Sequence, residues 1–92
     1  MTYSIRFRPA AEREYLALRG RVRARLDAAL GALAEDPLGP GTFPLWGSLQ
    51  GRRKCRVGDY RVVYAVEQDV LVVRVIAVGH RSRVYEDAER RA

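Results

Sequence analysis

Near the start of the chain Tyr3, Ile5 and Phe7 alternate with Ser4, Arg6 and Arg8. That period of two predicts a strand with one wet face, ending at Pro9. From there the period lengthens. Pro9 suits the first turn of a helix, and Ala11, Tyr15 and Leu18 recur at helical spacing up to Gly20. Val22, Leu26, Ala29, Leu30 and Leu33 then form an apolar stripe that predicts a second helix, closed by Asp36-Pro37. So short a connection makes the two helices a hairpin. Residues 38–51, LGPGTFPLWGSLQG, hold Gly and Pro without a sustained period and read as a loop fastened by Phe43, Leu45, Trp46 and Leu49. Three extended runs follow, at residues 52–57, 60–66 and 70–78. The last is apolar on both parities except at Arg74, as expected of a central strand covered on both faces. After Gly79 the text HRSRVYEDAERRA predicts a loop and a short helical tail.

The resulting order, β-α-α-β-β-β, predicts an α+β fold: a helical hairpin packed on one face of a mainly antiparallel four-stranded sheet, the other face partly open. At 92 residues the chain reads as one domain. Gly58-Asp59 serves as a two-residue turn pairing Val57 with Tyr60, so that Arg56 lies opposite Arg61. By alternation Cys55, Val57, Tyr60, Val62 and Tyr64 share one face, with Tyr60 and Tyr64 as core aromatics. Arg52, Lys54, Arg56 and Arg61 share the other. A turn at Gln68-Asp69 adds Arg74, as a bystander, and Ile76 to the second face and delivers His80 and Arg81 beside its end.

Charge sharpens this picture. The net charge is +6, and residues 52–61 alone carry Arg52, Arg53, Lys54, Arg56 and Arg61 against the single anion Asp59. Like charges opposed on a sheet cost up to about 1 kcal/mol per pair, so folding alone gives no reason to gather them. An anion bound among them does, and the surplus favours a polyanionic partner. All the cations but Lys54 are Arg, so Lys54 stands out from a general Arg bias. Arg83 and the Arg90-Arg91 tail read as solvated charge. The one cysteine, Cys55, can form no internal disulfide and reads as a small buried hydrophobe, in keeping with a cytoplasmic protein. No run of about 18 apolar residues predicts a membrane span, and no signal peptide is evident. One histidine, one cysteine and no carboxylate cluster near the basic strands leave no candidate metal site and imply no cofactor.

A basic strand, then RVGDYRVVY, then an apolar strand ending in VGHRSRVY resembles the RelE/ParE superfamily of bacterial type II toxins. The element order and the L-x-E-D-P entry to the loop after the second helix match as well. The resemblance implies the RelE-like, microbial-RNase-like fold. It also implies one of two functions: a messenger RNA endonuclease working in the ribosomal A site, as in RelE, or a DNA gyrase poison without nuclease chemistry, as in ParE. A toxin with neither activity is the third case. For RelE, the resemblance assigns Arg61 to the scissile phosphate, Arg81 to the leaving group, and Tyr85 to stacking on a splayed base. Lys54 matches one of two strand lysines and is the candidate proton acceptor. Arg52 fills the other position, where it can act only as an electrostatic clamp because Arg does not readily give up a proton. Arg56 and Arg83 are further candidates for substrate binding. Some relatives use a glutamate, a histidine and a tyrosine; His80 and Tyr85 fit, but residues 38–50 contain no Glu. Either Lys54 or His80 is then the base. The keeping together of Lys54, Arg61, Arg81 and Tyr85 favours the nuclease. The partners implied are an acidic antitoxin covering the basic groove, the ribosome and messenger RNA, with DNA engaged only through the antitoxin.

Overall fold

The computed structural model describes residues 2–91. It opens with strand β1, Ser4–Phe7, followed by helices α1, Pro9–Ala17, and α2, Gly20–Glu35. Pro9 stands at the start of α1, where its missing N–H costs nothing. Gly20 takes φ 63°, a left-handed value that lets the chain reverse between the helices within two residues. The α2 stripe buries Leu26, Leu30 and Leu33 against the sheet. Truncating the fully enclosed Leu26 to Ala would cost about 2–5 kcal/mol. Tyr15 of α1 donates a 2.6 Å hydrogen bond to Asp27 of α2, tying the hairpin together.

The remaining elements are β2, Thr42–Pro44, a 3-10 turn at Gly47–Leu49, β3, Arg53–Val57, β4, Tyr60–Glu67, β5, Val72–His80, and α3, Val84–Arg91. The fold is α+β with the helical hairpin on one face of the sheet, as expected, but the sheet has five strands rather than four, in the order β1-β5-β4-β3-β2. It is mixed: β1 runs parallel to β5, and every other neighbour is antiparallel. The added strand β2 lies in the segment expected to be loop. It is an edge strand, where Pro44 is tolerated. The predicted helical tail is α3, and it covers part of the second face. Leu49, Val63, Ile76, Ala77, Val84 and Ala88 make a small core there. The larger core, under the hairpin, includes Cys55, Val57, Val62 and Tyr64. Burial pushes the Cys55 thiol up from its ordinary value, as suits an unreactive filler. The Tyr64 hydroxyl donates to the Pro37 carbonyl at 2.6 Å, pinning the end of α2 to the sheet.

The turn at Gly58-Asp59 is as expected, with Arg56 opposite Arg61 and Val57 opposite Tyr60. Gly58 takes φ 61°, and a Cβ there would stand 2.9 Å from the Arg25 guanidinium. The second turn is longer than expected, with residues 68–71 outside the strands. Within β5 the register shifts: Val63 pairs with Ala77 but Tyr64 with Val75, so Ile76 has no cross-strand partner. This bulge lets Val75 and Val78, three residues apart, both reach the hairpin core.

Candidate nucleic-acid interface

On the α3 side, where β2, β3, β4 and the start of α3 meet, lies an open cavity of about 810 Å³. Its lining carries the cations Lys54, Arg56, Arg61 and Arg81 and the aromatic rings Phe43, Trp46 and Tyr85. Strand parity gathers three of the cations, since Lys54, Arg56 and Arg61 project on one face of the β3–β4 hairpin. The ammonium Nζ of Lys54 sits 5.8 Å from the centre of the Phe43 ring and 5.6 Å from that of Tyr85. Both are within cation–π range.

Arg61 lies on the face expected for it but is not in open water. Only 8% of it is exposed. Its Nη1 donates to the carbonyls of Gly58 at 2.7 Å and Tyr60 at 2.8 Å. One nitrogen is thereby held by the turn, while the side chain still lines the cavity. Arg81 arrives by a backbone link, its N–H donating to the Asp59 carbonyl at 2.8 Å. Tyr85 comes from the first turn of α3 and packs against the small core. Helix α3 is clasped to the body through Arg91. Its guanidinium donates two 2.9 Å hydrogen bonds to the Glu14 carboxylate and one of 3.1 Å to the Ile76 carbonyl. Arg91 is therefore not solvated tail charge.

The other expected site residues fall elsewhere. His80 turns to the hairpin side, pairing with Tyr60, its ring edge-on at 5.7 Å. It lines a smaller hollow of about 240 Å³ with Glu14 and Arg83, not the basic cavity. The cause is the bulge at Ile76: one extra residue reverses the facing of all that follow in the strand. Arg83 leaves the basic cavity along with His80. Arg52 stands one residue before β3 and does not line the cavity; its carbonyl accepts the Leu45 N–H. Arg74 does share the Arg61 face, but at the far end of the strand pair, in an ion pair with Glu67. Phe43 and Trp46 were expected to fasten the loop. Leu45 and Leu49 do so instead, while Phe43 and Trp46 open into the cavity. Among the described residues no cluster of His, Cys, Asp or Glu could hold a metal ion. No helix among them is long and apolar enough to cross a membrane.

Fold and cavity together describe a small α+β domain that sets arginines, one lysine and aromatic rings around an open cavity. Comparison with known proteins gives that class its family. The sequence model for the ParE toxin of the type II toxin–antitoxin system parDE matches residues 5–85. Toxin RelG of Mycobacterium tuberculosis is 34% identical over 86 residues, covering 92% of this chain and 98% of that one. Among solved structures, the toxin–antitoxin complex RelBE2 of M. tuberculosis aligns with TM-score 0.77 and 32% identity, covering 88% of this chain and 100% of that one. The isolated RelE toxin of Escherichia coli aligns with TM-score 0.74 and 33% identity, over 97% of each chain. The chain belongs to the RelE/ParE superfamily of type II toxin–antitoxin toxins.

Proposed function

We propose that this toxin is a RelE-like messenger RNA endonuclease that cuts in the ribosomal A site, using the ribose 2′-hydroxyl as nucleophile. The observation that carries this reading is the meeting of Lys54, Arg61, Arg81 and Tyr85 around one cavity. Arg61, already oriented by two carbonyls, holds the scissile phosphate. Lys54 takes the proton from the 2′-hydroxyl. The 2′-oxygen bonds to phosphorus as the bond to the 5′-oxygen breaks, giving a 2′,3′-cyclic phosphate and a 5′-hydroxyl. Arg81 offsets the charge on the departing oxygen, which takes its proton from water, and Tyr85 stacks on an adjacent base. Arg56 adds positive charge along the strand's path. His80 and Arg83 have no part in this reaction. Such chemistry asks for alignment, a proton acceptor and positive charge, all of which side chains can supply without a cofactor.

The partner proposed is an acidic antitoxin segment that folds over the cavity and offsets its charge, since burying unpaired cations is costly. Its support is that relatives were solved as toxin–antitoxin complexes, RelBE2 of M. tuberculosis among them. DNA would be engaged only through that antitoxin, and the complex would act in the cytoplasm.

A second reading, inhibition of DNA gyrase without nuclease activity, draws on the matching family model, which is that of ParE. Expression in growing cells separates the two. Messengers cut within translated codons by the wild type, and intact with Arg61→Gln, support the nuclease. Gyrase-linked DNA breaks with untouched messengers support the alternative.

A further inference from the structure

Trp46 is 74% exposed and Phe43 40%; among the described residues the other large exposed apolar side chains, Leu16, Leu38 and Val70, stand outside the basic cavity. Scattered apolar side chains at a surface need no explanation. Two aromatic rings that open into the same cavity as four cations do. Their backbone is not a loose loop. Phe43 is registered against Lys54 in the sheet, and the Leu45 N–H donates to the Arg52 carbonyl at 2.9 Å. The Trp46 carbonyl then accepts the Leu49 N–H as the 3-10 turn begins, and Leu49 is buried. Ser48 in that turn also donates to Glu89 of α3. The segment is fastened by its neighbours while Trp46 is left largely uncovered and Phe43 partly so, and the exposure comes from the strand and turn that hold them.

A groove that binds a single nucleic-acid strand joins cations, which follow the phosphates, to aromatic faces on which successive bases stack. We propose that Trp46 and Phe43 form a stacking platform for unpaired bases beside the scissile phosphate, in addition to Tyr85, so that the cavity holds a single RNA strand by its bases as well as by its phosphates. This rests on the nuclease reading and extends it. Paired RNA is excluded, because its bases offer no free face to a side chain.

Trp46 is the only tryptophan, so intrinsic fluorescence reports on this one position. The wild type is titrated at low salt with a short 2′-O-methyl RNA, which cannot be cut, and with an abasic strand of equal length and charge. The base-bearing strand quenches Trp46; the abasic strand binds, by polarisation, without quenching. Trp46→Ala weakens the base-bearing strand roughly tenfold or more and leaves the abasic one unchanged, and Trp46→Phe restores most of the loss. The melting temperature of Trp46→Ala should match the wild type, since the ring is mostly in water.

Equal quenching by both strands, no binding of the base-bearing strand, or unaltered RNA binding by Trp46→Ala would overturn the platform. So would a Trp46→Ala protein that binds RNA normally but loses affinity for an acidic antitoxin segment, which would assign the rings to a protein partner. Failure here leaves messenger cleavage and its dependence on Arg61 intact. Failure of the nuclease reading would instead appear as a wild type that cuts nothing.

Discussion

Arg56 and Arg61 face each other as a registered pair across β3 and β4, on the same side of the sheet. Arg61 is held by two carbonyls, whereas Arg56 is exposed at the cavity edge. An anion bound between them would relieve their repulsion. Arg56→Gln should therefore stabilise the free protein by up to about 1 kcal/mol while weakening RNA binding and flattening its salt dependence. Thermal melts with and without a 2′-O-methyl RNA check this. A variant no more stable when free, yet unimpaired in binding, would show the pair to be idle.

Arg61 carries two roles that substitution can separate. Arg61→Lys keeps the charge but cannot bond both carbonyls and still present a planar edge to phosphate. Cleavage should fall by about two orders of magnitude or more, from loss of oriented charge stabilisation. Melting should show a cost of roughly 1–2 kcal/mol from the lost turn bonds. Normal cleavage by Arg61→Lys would mean that plain charge is enough.

His80 and Lys54, the two bases the sequence offers, lie on opposite faces of the sheet, and of the two Lys54 alone lines the basic cavity. His80→Ala should cut messenger within a few-fold of wild type. Lys54→Met should lose about 10²–10⁴-fold, the usual contribution of a placed proton acceptor. Single-turnover cleavage on programmed ribosomes is the measurement; the reverse order of effects would move the chemistry to the other hollow.

Much of this site was legible in the sequence. The turn at Gly58-Asp59, the opposition of Arg56 and Arg61, and the division of the hairpin into apolar and cationic faces follow from alternation alone. The position of His80 does not. It depends on the bulge at Ile76, which leaves no mark in a strand apolar on both parities. Strand β2 leaves no mark for another reason: three residues ending in Pro44 have no period of their own, and pairing with β3 makes them a strand. The parallel pairing of β1 with β5 is likewise a long-range choice. Phe43 and Trp46 read as loop anchors because apolar residues in a Gly- and Pro-rich loop usually are; a signal was there in their adjacency to the basic strand.

The clasp on α3 should give stability a pH dependence. Burial alone would raise the Glu14 carboxyl, but the hydrogen bonds from Arg91 and the Val78 N–H, with the charges of Arg91 and Arg83, hold it below the ordinary carboxylate value. The folded value is the lower one. Its contribution is thus fully present above the ordinary range and is lost as pH falls through the depressed value. The melting temperature should drop as pH falls below the ordinary carboxylate range, and less steeply in Glu14→Gln. Because α3 carries Tyr85, Arg91→Ala should also slow cleavage at neutral pH without touching RNA. An unchanged pH slope in Glu14→Gln would place the acid sensitivity elsewhere.

The central claim is that the attacking oxygen belongs to the substrate. A messenger loaded on ribosomes with a single 2′-deoxyribose at the cleavage point tests it. Binding should survive, because stacking and phosphate contacts do not need that oxygen. Cleavage at that bond should stop while a fully ribose messenger is cut. Continued cutting of the deoxy-substituted bond would make water the nucleophile and contradict the role given to Lys54.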